Sequence, residues 1–271
     1  MSEDEIILTH ILQCRSIDLV INKPVLTPIQ HKQFEEYKLR RQAKEPLQYI
    51  LGTCNFMGLE LKVDPAVLIP RPETEQLVDA AIKELKQKQK GTVPKTGTGP
   101  FILDLGTGSG NIAIALAKFV PQSSIVSVDV SAAALKVARA NAHDHGLEDR
   151  ITFVQGDILN KQYLYSPPFF DMIISNPPYI PTNQLKSLPC DVQHEPCGAL
   201  DGGEDGLNFF RNIIKYTPCL LRKPACLMME FGDGQAEPVK KLIEAQGGFS
   251  AIEIIKDLAG RERIINGKVY H

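Results

Sequence analysis

The chain has 271 residues, of which 43% are hydrophobic and 23% charged, and its formal net charge is −2. These values fit a globular protein with one large domain, or a large domain and a small one. They argue against a general nucleic-acid coat protein, and no apolar run approaches the roughly 18 residues of a membrane span. The acidic start of the chain lacks the basic flank and apolar core of a signal peptide.

The six cysteines are scattered along the chain, which is typical of reduced thiols in an intracellular protein. Cys190, His194 and Cys197 form one cluster that offers three zinc ligands, but no fourth ligand stands at a familiar spacing. We therefore favour an ordinary loop and predict no metal. The expected location is the cytoplasm, or an organelle matrix if a transit peptide has been removed.

Residues 1 to 47 are predicted to be helical, because Ile6, Ile7 and Ile11 recur at helical spacing and Thr27-Pro28 is a helix start signal. The helix after Thr27 is rich in basic residues. It presents either a solvated charged face or a basic surface for an acidic partner.

A β-hairpin is predicted over residues 48–70, joining the domain 1–47 to a larger domain over 71–271. Apolar and charged residues alternate over 59–63, which indicates a strand with one buried face. The helix before it ends at Glu45-Pro46.

The larger domain begins with the extended turn Ile69-Pro70-Arg71-Pro72, after which a helix is expected from Glu73 or Thr74 to about Lys88. The basic, glycine-rich stretch from Lys83 onward toward residue 99 is predicted to be a flexible linker.

A glycine turn follows the first strand of this domain. The buried-type strand 101–105 leads directly into Gly106-Thr107-Gly108-Ser109-Gly110, and a helix follows. The next strand, 124–128, ends in Asp129 about 20 residues after the glycines, where a carboxylate can accept both hydroxyls of a ribose. Strand, glycine turn, helix and acid predict a nucleotide-type cofactor site.

A third strand, 151–155, ends in Gly156-Asp157. Asp157 is either an acceptor for an adenine amine, with Ile158 lining the base, or an ordinary loop carboxylate. A nicotinamide-dependent dehydrogenase would fit these features nearly as well. Its fingerprint, however, has a further glycine three residues after this turn, and here that glycine is absent.

The fourth strand, 170–174, ends at the turn Asn176-Pro177-Pro178-Tyr179, because two prolines cannot continue a central strand. The Asn176 side chain and the Pro177 carbonyl are then acceptors that can converge beside the flat face of Tyr179. Such a site suits a planar group with an NH2. The alternative is a rigid turn with a packed tyrosine.

A long segment from Ile180 to Gly206 is expected to be functional, since long loops in compact domains usually are. Beyond it we predict helices over 207–222 and 236–245 and a strand over 225–231. Two last strands, 250–255 and 263–269, are expected to form an antiparallel hairpin.

The Asn-Pro-Pro-Tyr turn resembles the signature of methyltransferases that act on planar NH2 nitrogens. Together with the glycine turn and Asp129, it resembles a class I methyltransferase using S-adenosylmethionine. Three further segments make the resemblance specific, namely 45–58, 69–75 and 195–207. They are similar to the HemK/PrmC family of peptide chain release factor glutamine N5-methyltransferases, over nearly the whole chain.

The resemblance implies an α/β, Rossmann-like, class I methyltransferase fold, with a mostly parallel seven-stranded sheet that ends in an antiparallel hairpin. It also implies a small helical N-terminal domain that helps to hold the release factor. It implies methylation of the glutamine of the Gly-Gly-Gln motif in class I release factors. We expect a monomer, with no direct requirement for nucleic acid or a membrane. The implied cofactor residues are Asp104, Gly106, Thr107, Gly108, Ser109, Gly110, Asp129, Asp157, Ile158 and Asn176. The implied catalytic residues are Asn176, Pro177 and Tyr179, and the substrate residues add Pro178, Phe56 and Arg71.

Within this family pattern, Tyr179 and Phe56 are expected to wall the glutamine side chain. Arg71 either orients the turn at Glu73–Glu75 or is a plain salt-bridge residue. The N-terminal region is shorter than the family pattern by about one helix, and Ile158 stands where the family often has an aromatic residue.

The sequence leaves two other functions open. A nucleic-acid adenine N6-methyltransferase uses the same turn, because adenine N6 is also a planar NH2, although the mild acidity of the chain argues against it. The other is a non-catalytic adaptor that binds the cofactor and a translation factor.

Overall fold

The computed structural model describes residues 1–91, 99–160 and 170–270, and residues 88–91 are described by their backbone alone. The chain begins with four helices: α1 (Glu3–Leu12), α2 (Ser16–Asn22), α3 (Pro28–Gln42) and α4 (Leu47–Leu51). Thr27 caps α3, with its hydroxyl accepting from the Gln30 N–H at 3.3 Å, and Pro28 occupies the first turn. This confirms the predicted start signal.

The basic residues of α3 are partly engaged within the chain. Arg41 donates to Glu3 of α1 at 2.9 Å, and Arg40 donates to Glu45 at 2.8 Å. These two ion pairs hold α3 against its neighbours, so they reduce the basic charge that the helix presents to solvent.

The predicted hairpin is present but shorter than the expected 48–70. Strands β1 (Thr53–Phe56) and β2 (Leu59–Lys62) pair antiparallel, whereas α4 occupies the residues before them. The helical turn ends because Gly52 adopts a left-handed conformation, with φ of +74°, which suits a glycine C-cap. In β2 the burial alternates between buried leucines and exposed charged residues, as predicted.

Helix α5 (Pro72–Gly91) begins one residue before Glu73, because proline fits the first helical position, where the missing N–H costs nothing. The linker predicted after Lys83 lies partly in this helix and partly outside the described residues.

Seven strands form one sheet in the described part of the chain, in the order β5-β4-β3-β6-β7-β9-β8. Their bounds are β3 (Phe101–Leu105), β4 (Ser124–Asp129), β5 (Ile151–Gln155), β6 (Phe170–Ser175), β7 (Leu221–Glu230), β8 (Ala251–Lys256) and β9 (Glu262–Val269). Strands β3 to β7 run parallel, and β9 pairs antiparallel with both β7 and β8. The predicted mostly parallel sheet with a closing antiparallel hairpin is confirmed.

Helices cover both faces of this sheet: α6 (Asn111–Phe119), α7 (Ala132–Asp144), α8 (Asn208–Leu220) and α9 (Ala236–Gln246). One apolar cluster packs α5, α6 and α7 on one face, and a second packs α8 and α9 on the other. Burial on both faces explains the apolar stretches 101–103, 172–174 and 225–229 within β3, β6 and β7.

The strand order reverses between β3 and β6, the two central parallel neighbours. In open α/β sheets, ligands bind beyond the carboxyl ends of the strands at such a reversal. The long segment after Tyr179 returns to this edge, where the Ile180 N–H donates to the Leu200 carbonyl at 3.0 Å. None of the helices in the described ranges is both long and apolar enough to cross a bilayer.

Candidate active site

A cavity opens at the carboxyl ends of β3, β4 and β5, and we call it the cofactor cavity. Six of the ten residues predicted to contact the cofactor lie in its wall: Gly106, Gly108, Asp129, Asp157, Ile158 and Asn176. They lie at or just beyond the carboxyl ends of four different strands, which the parallel sheet brings to one edge. The cavity therefore unites most of the predicted cofactor residues.

Asp129 is held firmly at the end of β4. One of its carboxylate oxygens accepts from the Gly108 N–H at 2.9 Å, and the other accepts from the Ser131 N–H at 2.9 Å. A carboxylate has about four acceptor positions, so each oxygen retains capacity for a ligand hydroxyl. Burial raises the pKa of Asp129, against the lowering effect of these backbone N–H groups.

The glycine turn keeps this cavity open. Gly106 and Gly108 have φ values of +77° and +54°, which disfavour other residues. A Cβ on Gly106 would lie 4.0 Å from the Ile158 side chain, on the opposite wall. The Gly106 backbone and the Ile158 side chain therefore form adjoining parts of the cavity wall, one polar and one apolar.

Four predicted cofactor residues do not line the cavity. Asp104, Thr107 and Ser109 are buried beneath the turn, and each has a polar oxygen with no hydrogen-bond partner among the described residues. Burial raises the pKa of Asp104 to about 7. Gly110 packs helix against helix, because its Cβ would lie 3.2 Å from that of Ala138 in α7.

Asp157 is placed in the cofactor cavity, but its oxygens are already engaged locally. It accepts from the Leu159 N–H at 2.8 Å and from the Asn160 side chain. Both readings of this residue, as a base acceptor and as a loop carboxylate, therefore remain compatible with its position.

A second, narrower cavity adjoins the first, and we call it the acceptor cavity. Five of its wall residues are Leu68, Arg71, Asn176, Pro177 and Tyr179, with the long segment supplying the rest. Asn176 lines both cavities. The Asn-Pro-Pro-Tyr turn thus stands between the two spaces, with Pro178 on the cofactor side and Pro177 and Tyr179 on the other.

Hydrogen bonds to buried groups hold the Asn176 side chain in place. Its Nδ2 donates to the Thr74 hydroxyl at 3.0 Å, and that hydroxyl donates to Glu230 Oε2 at 2.7 Å. Thr74 and Glu230 are both buried. In the described part of the chain, Asn176 Oδ1 and the Pro177 carbonyl receive no hydrogen bond, so both acceptors are available to a ligand.

Glu230 is a carboxylate in a largely apolar setting at the end of β7. Burial raises its pKa to about 7, although hydrogen bonds from Thr74 and Asn176 and the charge of Arg263 lower it. The charge of Glu73 acts in the same direction as burial.

Arg71 forms an ion pair with Glu195, whose other oxygen accepts from the Ile69 N–H at 3.1 Å. Of the two interpretations of Arg71, the salt bridge is present, and its partner is Glu195 on the long segment. The pair ties the Ile-Pro-Arg-Pro turn to that segment at the rim of the acceptor cavity.

Phe56 is not part of either cavity, which corrects its expected role as a wall for the substrate. Its side chain is 1% exposed and belongs to the buried cluster that includes Leu59 and Leu77. The hairpin orients this ring toward the core of the large domain, where burying it removes more apolar surface from water than the rim of a cavity would.

The backbone at Tyr179 is fixed by close approach of the long segment. Gln235 Nε2 donates to the Tyr179 carbonyl at 2.9 Å, and a Cβ on Gly202 would lie 2.8 Å from the Tyr179 carbonyl carbon. Burial raises the pKa of Tyr179 to about 12, so its hydroxyl stays protonated near neutral pH.

Sequence reasoning assigned no role to Thr74, Glu195, Glu230 or Gln235. A signal was available for Glu230, since it is a lone acid at the end of the apolar strand 225–231, as Asp129 is at the end of its own strand. Thr74 and Glu195 lie in the segments 69–75 and 195–207 that carry the family resemblance, whereas no comparable signal marks Gln235. Cys190 and Cys197 are exposed, and the described ranges contain no group of three or more side chains arranged to hold a metal ion.

Comparison with known proteins identifies the two parts of the chain. Residues 2–52 match the PrmC N-terminal domain, and residues 98–250 match a methyltransferase domain. The catalytic domain of hMettl16, solved in complex with an RNA hairpin, superposes with a TM-score of 0.61 at 16% identity, over 90% of this chain and 83% of that one. Identity at this level shows a shared fold and no more.

Two relatives carry the family assignment. The release factor glutamine methyltransferase of Thermodesulfovibrio yellowstonii is 38% identical over 97% of this chain and 90% of its own length. The protein of the same name from Moorella thermoacetica is 43% identical over 83% of this chain and 75% of its own length. Identity of this extent over most of both chains, together with the matches to the two domain families, shows that the chain belongs to the release factor glutamine methyltransferases.

Proposed function

We propose that this protein transfers a methyl group from S-adenosylmethionine to the N5 nitrogen of the glutamine in the Gly-Gly-Gln motif of class I peptide chain release factors. The observation that carries the proposal is the position of Asn176 between two adjoining cavities, one fitted to a nucleoside and one to a small planar amide. Family membership supports the same reaction and the same substrate class.

The residues present fit S-adenosylmethionine. Asp129 would accept the ribose hydroxyls, the backbone of Gly106 and Gly108 would lie against the cofactor, and Ile158 and Pro178 would contact its apolar faces. When bound, the cofactor supplies a methyl group activated by its positive sulfonium.

The chain's contribution on the substrate side is positioning. A carboxamide nitrogen is a weak nucleophile, because its lone pair is delocalised into the carbonyl. Asn176 Oδ1 and the Pro177 carbonyl would accept from the substrate NH2, which fixes the nitrogen and favours the positive charge that develops on it. The cofactor would supply the methyl carbon and keep the electron pair of its carbon–sulfur bond, and the substrate nitrogen would release one proton to water.

The acceptor cavity would hold the glutamine side chain itself. Tyr179 offers a flat wall, and Arg71, fixed by Glu195, lies at the rim. The N-terminal helices would hold the body of the release factor, and a monomer suffices for this arrangement. Because the substrate acts in translation, the expected compartment is the cytoplasm, or an organelle matrix that contains ribosomes.

The test is methyl transfer from labelled S-adenosylmethionine to three substrates in parallel. These are a purified class I release factor, the same factor with its Gly-Gly-Gln glutamine changed to alanine, and an adenine-containing duplex. We expect label on the native factor alone. Label on the duplex would replace the proposal by an adenine N6-methyltransferase, and label on none of the three would favour the adaptor.

A further inference from the structure

The Asn176 side chain ends a chain of hydrogen bonds that joins three distant segments. Thr74 lies in the first turn of α5, Asn176 after β6, and Glu230 at the end of β7. Asn176 Nδ2 to Thr74 Oγ1 measures 3.0 Å, and Thr74 Oγ1 to Glu230 Oε2 measures 2.7 Å. Because β6 and β7 are parallel neighbours, with Ser175 opposite Met229, Asn176 and Glu230 follow at matching positions.

The direction of this chain decides which atom of the Asn176 amide faces the cavities. A hydroxyl has one proton, and Thr74 Oγ1, which accepts from Asn176 Nδ2, gives that proton to Glu230 Oε2. The Thr74 oxygen can then only accept from Asn176, and it therefore selects the NH2 side of the amide. The carbonyl oxygen, Oδ1, is left facing the cavities as an acceptor.

We propose that Thr74 and Glu230 are positioning residues, which orient the Asn176 amide so that its oxygen, and not its NH2, meets the substrate nitrogen. This inference rests on the proposed transfer to a carboxamide. The opposite orientation would place two NH2 groups face to face, and no hydrogen bond would form between them.

Burial supports a role beyond packing. Thr74 is 1% exposed and Glu230 is 2% exposed, and a buried carboxylate is costly unless it serves a partner. The five residues immediately before Glu230, from Ala225 to Met229, are apolar and buried, so an apolar side chain at this position would pack without that cost. The buried carboxylate instead accepts the proton of the Thr74 hydroxyl and so fixes the direction of that hydrogen bond.

The first test compares Thr74→Val with Thr74→Ser. Valine has the shape of threonine without the hydroxyl, whereas serine restores it. Thr217→Val is the matched control, because Thr217 is equally buried and donates to the Ile213 carbonyl at 2.7 Å within α8, away from both cavities.

A hydrogen bond of this kind favours one orientation of the Asn176 amide over the other by about tenfold. We therefore expect Thr74→Val to lower kcat about tenfold. The KM for the release factor and the calorimetric affinity for S-adenosylmethionine should stay within about twofold, since neither surface is altered. Thr74→Ser should recover most of kcat, and Thr217→Val should leave it unchanged. Equal kcat values for Thr74→Val and Thr74→Ser, or for Thr74→Val and Thr217→Val, would overturn the proposal.

A second measurement does not depend on the fold tolerating valine. Asn176→Asp places a carboxylate opposite a hydroxyl already committed to Glu230, and we expect kcat to fall by about 10² or more. Adding Glu230→Gln to Asn176→Asp removes one of the two negative charges and supplies an NH2 that can donate to the Thr74 hydroxyl oxygen. We therefore expect kcat to recover about tenfold in Asn176→Asp, but Glu230→Gln should not raise the kcat of the wild-type protein. If the two substitutions combine without recovery, the proposed link between Glu230 and Asn176 is wrong.

These outcomes separate this inference from the proposed function. An inactive wild-type protein would remove the proposed function. If the wild-type protein is active but Thr74→Val matches its comparison variants in kcat, or Glu230→Gln restores no activity to Asn176→Asp, only the positioning role is removed.

Discussion

Gly206 offers a sharp test of how closely the long segment fixes the catalytic turn. It has φ of +76°, and a Cβ there would overlap the Tyr179 carbonyl oxygen and lie 2.7 Å from Gln235 Nε2. Contacts of a Cβ below 3.0 Å essentially never occur. In Gly206→Ala, the new methyl group would therefore displace the Tyr179 backbone or the long segment that packs against it. A misplacement near 1 Å costs about 10² in rate.

The matched control is Gly247→Ala, at the end of α9. Gly247 has φ of +74°, so alanine is strained there to the same degree, yet its Cβ would meet no described atom within 4 Å. Both variants should lose about 1–2 kcal/mol of unfolding free energy from the left-handed backbone. Only Gly206→Ala carries a further cost of about 1–3 kcal/mol from overpacking.

The assay is steady-state methyl transfer to the release factor, combined with urea unfolding of both variants. We expect kcat to fall about tenfold to hundredfold in Gly206→Ala, while Gly247→Ala keeps the wild-type rate. Equal kcat values in the two variants would show that the Tyr179 backbone does not depend on this contact, and would refute the reasoning.

Three further predictions concern the site itself. Asn176→Ala should lower kcat by about 10²–10³ and leave calorimetric cofactor affinity intact, and an unchanged kcat would remove its proposed role. Asp129→Ala should mainly weaken cofactor binding, because it loses the acceptor for the ribose, and a normal affinity by calorimetry would reject that assignment. Burial raises the pKa values of Asp104 and Glu230 to about 7, so the folded state favours their protonated forms. The stability that these groups contribute is fully present below about pH 4 and is lost as the pH rises toward about 7. Asp104→Asn and Glu230→Gln should therefore flatten the pH dependence of the unfolding free energy over this range, and parallel curves for wild type and variants would contradict this.

The sequence alone determined the order and type of most elements, because those depend on local patterns. The apolar runs of 101–105 and 170–174 marked central strands, and the two prolines after Asn176 marked where one of them ends. The placement of Asp129 followed from the same logic, since the carboxyl ends of parallel strands share one edge.

Local patterns also had limits within single segments. The alternation over 59–63 identified β2, but nothing local showed that the residues just before Gly52 form a helical turn instead of the start of the hairpin. Phe56 was expected at the substrate, because the sequence does not distinguish an aromatic residue that lines a cavity from one that packs in the hydrophobic core. Its burial is decided by the packing of α5 against the hairpin, which is a tertiary contact.

The contacts that orient the site were beyond the reach of the sequence. Thr74 and Glu230 are 156 residues apart, Thr74 and Asn176 are 102 apart, and Ile69 and Glu195 are 126 apart. Hydrogen-bond partners at such separations leave no periodicity, and each residue alone looks like an ordinary polar side chain. The sequence by itself therefore determined which groups reach the carboxyl edge of the sheet, whereas only the tertiary structure decided which way the Asn176 amide faces, because that depends on buried groups that the fold brings together.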